Sequence, residues 1–249
     1  MELFASRSFL GANLLTFFLY AVLGIFFFLF PLNLIQVEGY SATATGAAAL
    51  PLIMLMFFLS SWSGGLVARY GARNPLVIGP LVAAVGFFLF ALPSVGGGCW
   101  STFFPAFVVL GLGMAVSVAP LTTVVMSSVS QDRAGAASGI NNAVARVAGV
   151  LAIAVFGIVI VKAFSSHLNQ SLAKLTIPTS ILQAVQSNEI KLAGLPLPAD
   201  LIGSMATEIR SSISQAFVFG FRIVTLFCAG LSIISAATAS LMIPAKLNQ

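Results

Sequence analysis

Six long apolar runs, at 9–30, 43–62, 75–93, 102–127, 136–161 and 216–243, dominate the chain, and polar residues collect between them. About 20 apolar residues cross a bilayer core of roughly 30 Å as a helix. A helix also satisfies its backbone hydrogen bonds within one segment, which lipid demands. The pattern therefore predicts an all-α transmembrane fold, a six-helix bundle forming a single membrane domain over 1–249. The run at 9–30 is too long for the apolar core of a signal peptide, usually about 7–15 residues, and reads as the first span.

Four connections are short, and the fifth, at 162–215, is a long loop expected outside the cytoplasm. Leu201, Met205, Ile209 and Ile213 recur there every fourth residue after Asp200, which predicts a capped amphipathic helix running into the last span. TSILQAVQSNEIKLAG, at 179–194, predicts a second short amphipathic helix with Thr179 or Ser180 as its cap. A solvated cover is the expected role of this loop, with a substrate-capturing lid as the alternative.

The stretch 132–149, DRAGAASGINNAVARVAG, is the most informative one. Small residues at Gly135, Gly139 and Ala143, and again at Ala145 and Gly149, predict a close helix–helix contact. The same helix carries Asn141, Asn142 and Arg146. At 3.6 residues per turn, Gly139, Asn142, Arg146 and Gly149 share one face, which must look at protein or water rather than lipid.

Composition supports the membrane class: 59% of residues are hydrophobic and 7% charged, against about 25% charged in soluble domains. The lipid bilayer is thus the first partner. The net charge of +5 does not point to nucleic acid, because the basic residues form no cluster. Arg7, Arg69, Arg73, Arg133 and Lys246 fall at the termini or in the second and fourth loops, and the first and third loops have no Lys or Arg. The positive-inside rule then places both termini in the cytoplasm, in a multi-pass protein of the cell (inner or plasma) membrane. Lys162, Lys174, Lys191 and Arg210 in the long fifth loop run against the rule, which weakens as loops lengthen.

No Asp or Glu lies within the six runs, and only Arg146 and Arg222 place charge there. Proton carriers normally use an intramembrane group that titrates, and arginine does not. Arg146 is too deep to snorkel easily, so it calls for a protein partner or an aqueous cavity: an anionic or polar ligand, a carboxylate outside the chain, or, as the structural reading, a backbone carbonyl. Arg222 lies nearer a span end and reads as structural. Cys99 and Cys228 sit at different depths and read as free thiols. His167 is the only histidine, and no HExxH, GxSxG or Cys–His spacing occurs, so neither an enzyme, a metal site nor a cofactor is expected. The glycines at 95–99 lack the Lys-Ser/Thr of a phosphate loop.

GGLVARYGARNPL, at 64–76, resembles the cytoplasmic loop motif G-x-L-x-D-R-x-G-R-R-x-x-L of the major facilitator superfamily. Gly64, Leu66, Arg69, Gly71, Arg73 and Leu76 match, whereas Ala68 replaces the acid and Ala72 a basic residue. The sequences from Asn13 to Pro51 and from Gly111 to Gly149 look like the C-terminal six helices of fourteen-helix drug:proton antiporters of the multidrug-efflux type. The resemblance implies half of a facilitator fold, a 3+3 inverted repeat, with the first, second, fourth and fifth helices facing a cavity. It also implies an inner gating loop at Gly64, Leu66, Arg69, Gly71 and Arg73, weakened as a latch by Ala68.

The resulting expectation is the C-terminal half of a proton-coupled drug or multidrug efflux antiporter, working by alternating access on a small amphipathic or apolar substrate. Asn141, Asn142 and Arg146 are the expected pathway residues. The partner is an N-terminal transporter half, or a second copy in a self-sufficient homodimeric carrier. A non-transporting membrane interaction subunit or a truncated product is the alternative from another class.

Overall fold

The computed structural model describes residues 6–96, 102–175, 177–197 and 203–245. Six helices in it are long and apolar enough to cross a bilayer: Arg7–Val37, Ala42–Gly64, Arg73–Phe90, Phe104–Ser127, Gln131–Leu172 and Ser204–Met242. They are called here the first to the sixth span.

Local sequence explains where these helices start and break. The Ser6 hydroxyl accepts from the Phe9 N–H at the start of the first span, and Ser41 accepts from the Ala44 N–H at the start of the second. Both cover backbone donors that a helix start leaves open. Pro31 lacks an N–H and crowds the preceding turn. Just past it, the first span widens into a π-helical turn over Asn33–Val37, where the Glu38 N–H reaches back to the Asn33 carbonyl. The second span is interrupted at Ala49, two residues before Pro51 opens its longer part.

The first span packs on the fifth and sixth, the fourth packs on the second and third, and the third packs on the sixth. Exchanging the first three spans for the last three turns this set of contacts into itself, as expected of two inverted three-helix repeats; the fifth and sixth spans also pack on each other, a contact that the second and third do not match. The second, fourth, first and fifth spans follow one another in a front row, with the third and sixth behind. The second and fifth spans are the outliers in burial. Only 11% and 17% of their apolar windows are buried, against 44–56% in the others, so each turns most of its surface away from the chain.

Close contacts occur where side chains are small. A Cβ added to Gly24 would meet the Gly149 Cα at 2.6 Å, so the first and fifth spans touch backbone to backbone. A Cβ at Gly86 would meet the Leu110 Cα at 2.8 Å, and one at Gly79 would collide with the Ser117 hydroxyl, joining the third and fourth spans. Without a hydrophobic effect between helices in lipid, such approach is what gives dispersion contacts their strength. Phe26, Phe30, Phe87, Phe90, Phe103 and Phe107 fill the space between the first, third and fourth spans, with centroids as close as 4.6 Å for Phe26 and Phe90.

Several expectations are corrected. Gly135, Gly139 and Ala143 do not form a packing seam within the chain: all three are exposed, and nothing lies within 4 Å of a Cβ added at Gly135 or Gly139. Of that stripe only Gly149 makes the contact, because the buried face of the fifth span runs through Ala137, Ala148 and Ala152. The fifth span does not stop near 161 but continues to Leu172, while the expected helix through Met205, Ile209 and Ile213 is present and is continuous with the sixth span from Ser204. Both helices have 39 residues, about 58 Å at 1.5 Å per residue, roughly twice the bilayer core. Their extensions are sustained by Ile160, Phe164, Leu168 and Leu172 on one helix and Ile209, Ile213 and Phe217 on the other, all buried.

Thr179 and Ser180 do not cap the short helix Thr179–Gln186; they are its first residues, and Pro178 occupies the cap position with no side-chain bond. Cys99, Asp200, Leu201 and Lys246 lie outside the described residues.

Replacing Gly24 by Val is expected to destabilise the chain by about 1–3 kcal/mol through overpacking. Gly139→Ala should change it by less than about 0.5 kcal/mol. Thermal unfolding of the two variants in detergent checks this contrast, and equal losses would refute the assignment of the contact to Gly24.

Candidate functional site

The front row offers three polar features. The first is a clamp between the first and fifth spans. The Asn141 side-chain amide donates to the Thr16 hydroxyl at 2.7 Å and to the Asn13 side-chain oxygen at 3.2 Å. Asn13 donates to the Phe9 carbonyl and Thr16 to the Ala12 carbonyl, so every member of the cluster has a partner. Buried polar groups in lipid need such closure. Asn141 is therefore tied to its own bundle, and Asn13 and Thr16 are the site residues that periodicity alone did not reveal: a lone Asn and a Thr in an apolar run carry no spacing signal.

The second feature lies on the opposite side of the fifth span. Asn142 and Arg146 are both exposed there, on the same open strip as Gly135 and Gly139. Asn141 and Asn142 point apart as neighbours on a helix must, about 100° around its axis. Arg222 behaves differently from Arg146. Its guanidinium donates to the Pro93 carbonyl at 2.9 Å and the Leu92 carbonyl at 3.3 Å, fastening the sixth span to the end of the third.

The third feature is a cleft of about 800 Å³ between the second and fourth spans, lined by Met56, Ser60, Val118, Thr122, Thr123 and Met126 among others. It lies toward the bundle end where the Arg7 guanidinium donates to the Leu241 carbonyl. Thr122 donates to the Val118 carbonyl and Thr123 to the Ala119 carbonyl. Their protons being used within the helix, they offer lone pairs to an occupant, beside two soft thioethers. Among the described residues no charged side chain lines the cleft.

At the same end, the 64–73 loop folds against the end of the sixth span. Gly71 has φ +76°, and a Cβ there would collide with the Ala245 carbonyl, so glycine is required twice over. Leu66 is buried, while Gly64, Arg69 and Arg73 are exposed, as is Ala68 where the motif has its acid. Asp132, in the turn that opens the fifth span, lies 3.8 Å from the Arg133 guanidinium, and both are exposed. His167 stacks on Phe219 with centroids 4.5 Å apart. Among the described residues no group of three His, Cys, Asp or Glu could hold a metal.

Residues 1–153, more than half of the chain, match the profile of the Major Facilitator Superfamily. The chain belongs to this superfamily. Facilitators are transporters and not enzymes, and the six spans are those of a multi-pass membrane protein. The facilitator chain is similar to the tetracenomycin C resistance and export protein of Streptomyces glaucescens, at 27% identity over 87% of this chain and 40% of that protein. It is 31% identical to multidrug resistance protein Stp of Mycobacterium tuberculosis, over 77% of this chain and 36% of the relative. The lincomycin resistance protein of Streptomyces lincolnensis is 29% identical, over 73% and 37%. This facilitator chain thus spans two fifths or less of these curated relatives.

In three dimensions it matches the inward-facing, occupied crystal structure of a bacterial homologue of the human lysosomal transporter Spinster, with a TM-score of 0.71. That match covers 99% of this chain and 51% of the other at 17% identity, and speaks for the fold.

A double-mutant cycle on Thr16→Val and Asn141→Ala is expected to give a coupling of about 0.6–1.7 kcal/mol, the range of interhelical bonds in membranes. Unfolding in detergent micelles measures it, and purely additive losses would remove the clamp from the list of interactions holding the first span to the fifth.

Proposed function

We propose that this chain is the C-terminal half of a drug-efflux antiporter, which exports small amphipathic or apolar molecules by alternating access opposite an N-terminal half. The observation that carries this reading is the uncovered front row. The second and fifth spans turn most of their surface outward, and the cleft and Arg146 open on exposed surfaces of that row. A bundle complete in itself would not keep an arginine there without a partner.

The names of the relatives, resistance and export proteins, support the direction and the kind of cargo. The methionine-and-hydroxyl lining of the cleft suits ligands of mixed polarity. Proton coupling then falls to the missing half, because the apolar runs of this chain hold no carboxylate. Asn142 and Arg146 line the pathway, and Asn141 orients the helix that presents them. Arg69, Gly71 and Arg73, with Gly64 and Leu66, form the inner gating loop. In this reading the termini and the gating loop are cytoplasmic, in the cell membrane, and the segment described at 177–197 covers the outside.

Two measurements test the proposal. An immunoblot of the native polypeptide, tagged at its C-terminus at its own locus, should show a band about twice 25.9 kDa, or a 25.9 kDa band that co-purifies with a second membrane polypeptide, the separately encoded partner half. A solitary 25.9 kDa chain that transports when purified into liposomes would instead mean a homodimeric carrier. Thr123→Trp, which fills the cleft, should lower export of a fluorescent amphipathic dye by ~10-fold or more, about 1.4 kcal/mol in occupancy, with unchanged thermal stability. Arg146→Ala should also impair export, and a correctly folded variant with full export would remove Arg146 from the pathway.

A further inference from the structure

Arg146 carries a further consequence, which rests on the reading of this chain as half of a transporter. The contacts on either side of it fix its depth. Five residues before it, Asn141 bonds Thr16; three residues after it, a Cβ added at Gly149 would lie 3.8 Å from the Gly24 Cα and from the Tyr20 carbonyl. Arg146 therefore stands level with the stretch between Thr16 and Gly24, the middle of the helix Arg7–Leu32. It is about 18 Å along the fifth span from Ala134, beyond the reach of a guanidinium to either interface of a ~30 Å core.

At that depth it is exposed, and its guanidinium has no hydrogen bond or ion pair among the described residues. The described acids all lie elsewhere. Glu38 accepts from the Gly96 N–H, Glu189 accepts from Asn169, Asp132 sits beside Arg133 in the turn that opens the fifth span, and Glu208 is exposed near the start of the sixth helix. A second copy of the chain adds another Arg146 and no acid within its apolar runs.

We infer that the front face docks against a different membrane bundle that supplies a carboxylate at mid-depth, paired directly with Arg146. The open strip beside Arg146 fits this role. Gly135, Gly139 and Ala143 pack against nothing in this chain, and small residues let a partner helix approach closely enough for a two-point guanidinium–carboxylate contact. Charge complementarity excludes a second copy as the occupant, and the two fifths or less of the relatives' length that this chain covers leaves room for such a bundle.

The test uses native membranes with Arg146→Lys introduced at the chain's own locus. Dicyclohexylcarbodiimide activates carboxyls in lipid. An amine in direct contact then displaces the activated group, forming an amide while the carbodiimide leaves as dicyclohexylurea. Peptide mass mapping is expected to find the substituted side chain joined to an Asp or Glu of an apolar segment outside residues 1–249. Attachment to an acid of this chain or of a second copy overturns the inference, and so does the absence of an amide. The mass of the native polypeptide, read on the same membranes, separates the two failures: another half present without the amide sinks only the pairing, whereas no other half sinks the transporter-half reading as well.

Arg146→Met gives a second readout that does not need the lysine variant to fold. Carbodiimide attacks protonated carboxyls, and loss of a neighbouring cation raises a carboxyl pKa by about one unit or more, so labelling of the partner segment should rise about 10-fold. Unchanged labelling overturns the pairing.

Discussion

Close approach of backbones is the interaction on which the bundle depends. Lipid tails are as apolar as leucine, so helices gain little by leaving them for one another, and what holds them is the dispersion of well-fitted surfaces. Gly24 against Gly149 joins the first span to the fifth, and Gly79, Gly86 and Gly113 let the third and fourth interlock. The phenylalanine cluster around Phe26 and Phe90 adds edge-to-face contacts between the first, third and fourth spans. Each aromatic pair contributes about 0.5–1.5 kcal/mol beyond its burial.

These contacts also decide what is left uncovered. Because the third and sixth spans bind each other and sit behind the first and fourth, the second and fifth have neighbours on one side only. The polar residues sort accordingly. Those with partners, Asn13, Thr16 and Asn141, lie between helices, while Asn142 and Arg146 lie on the open side. Arg222 shows the alternative fate of a membrane arginine, settled on two carbonyls freed at the end of a proline-terminated helix. The two arginines thus differ: Arg222 is settled on backbone carbonyls, whereas the Arg146 side chain is exposed and has no partner among the described residues.

Beyond the bilayer, the fifth and sixth helices continue as a pair, joined by the short helix Thr179–Gln186 and the turn Glu189–Gly194. The amides of Asn169 and Gln186 and the carboxylate of Glu189 tie this connection to the fifth helix. At the other end, the Ala245 carbonyl presses on Gly71, so the 64–73 loop and the end of the sixth span form one unit. Both ends of the bundle are tied in this way, one through Asn169, Gln186 and Glu189 and the other through Gly71 and Ala245.

The membrane class, the six spans, the facilitator loop motif and the depth of Arg146 were all legible in the bare chain, because length, hydropathy and charge act locally along one helix. The small residues of the fifth span were legible too, yet not which helix they meet. Gly149 found Gly24, while Gly135, Gly139 and Ala143 found nothing, and only the rotation of the helix set by Ala137, Ala148 and Ala152 decided between them. The role of Asn141 was equally hidden, since its partners Asn13 and Thr16 are more than 120 residues away. The extension of the sixth helix was legible in the four-residue period through Ile209 and Ile213, whereas that of the fifth to Leu172 was not: Phe164 and Leu168 are buried by a neighbour that the local pattern cannot name. Pairing across the bundle is a property of surfaces brought together, and the folded arrangement alone assigns it.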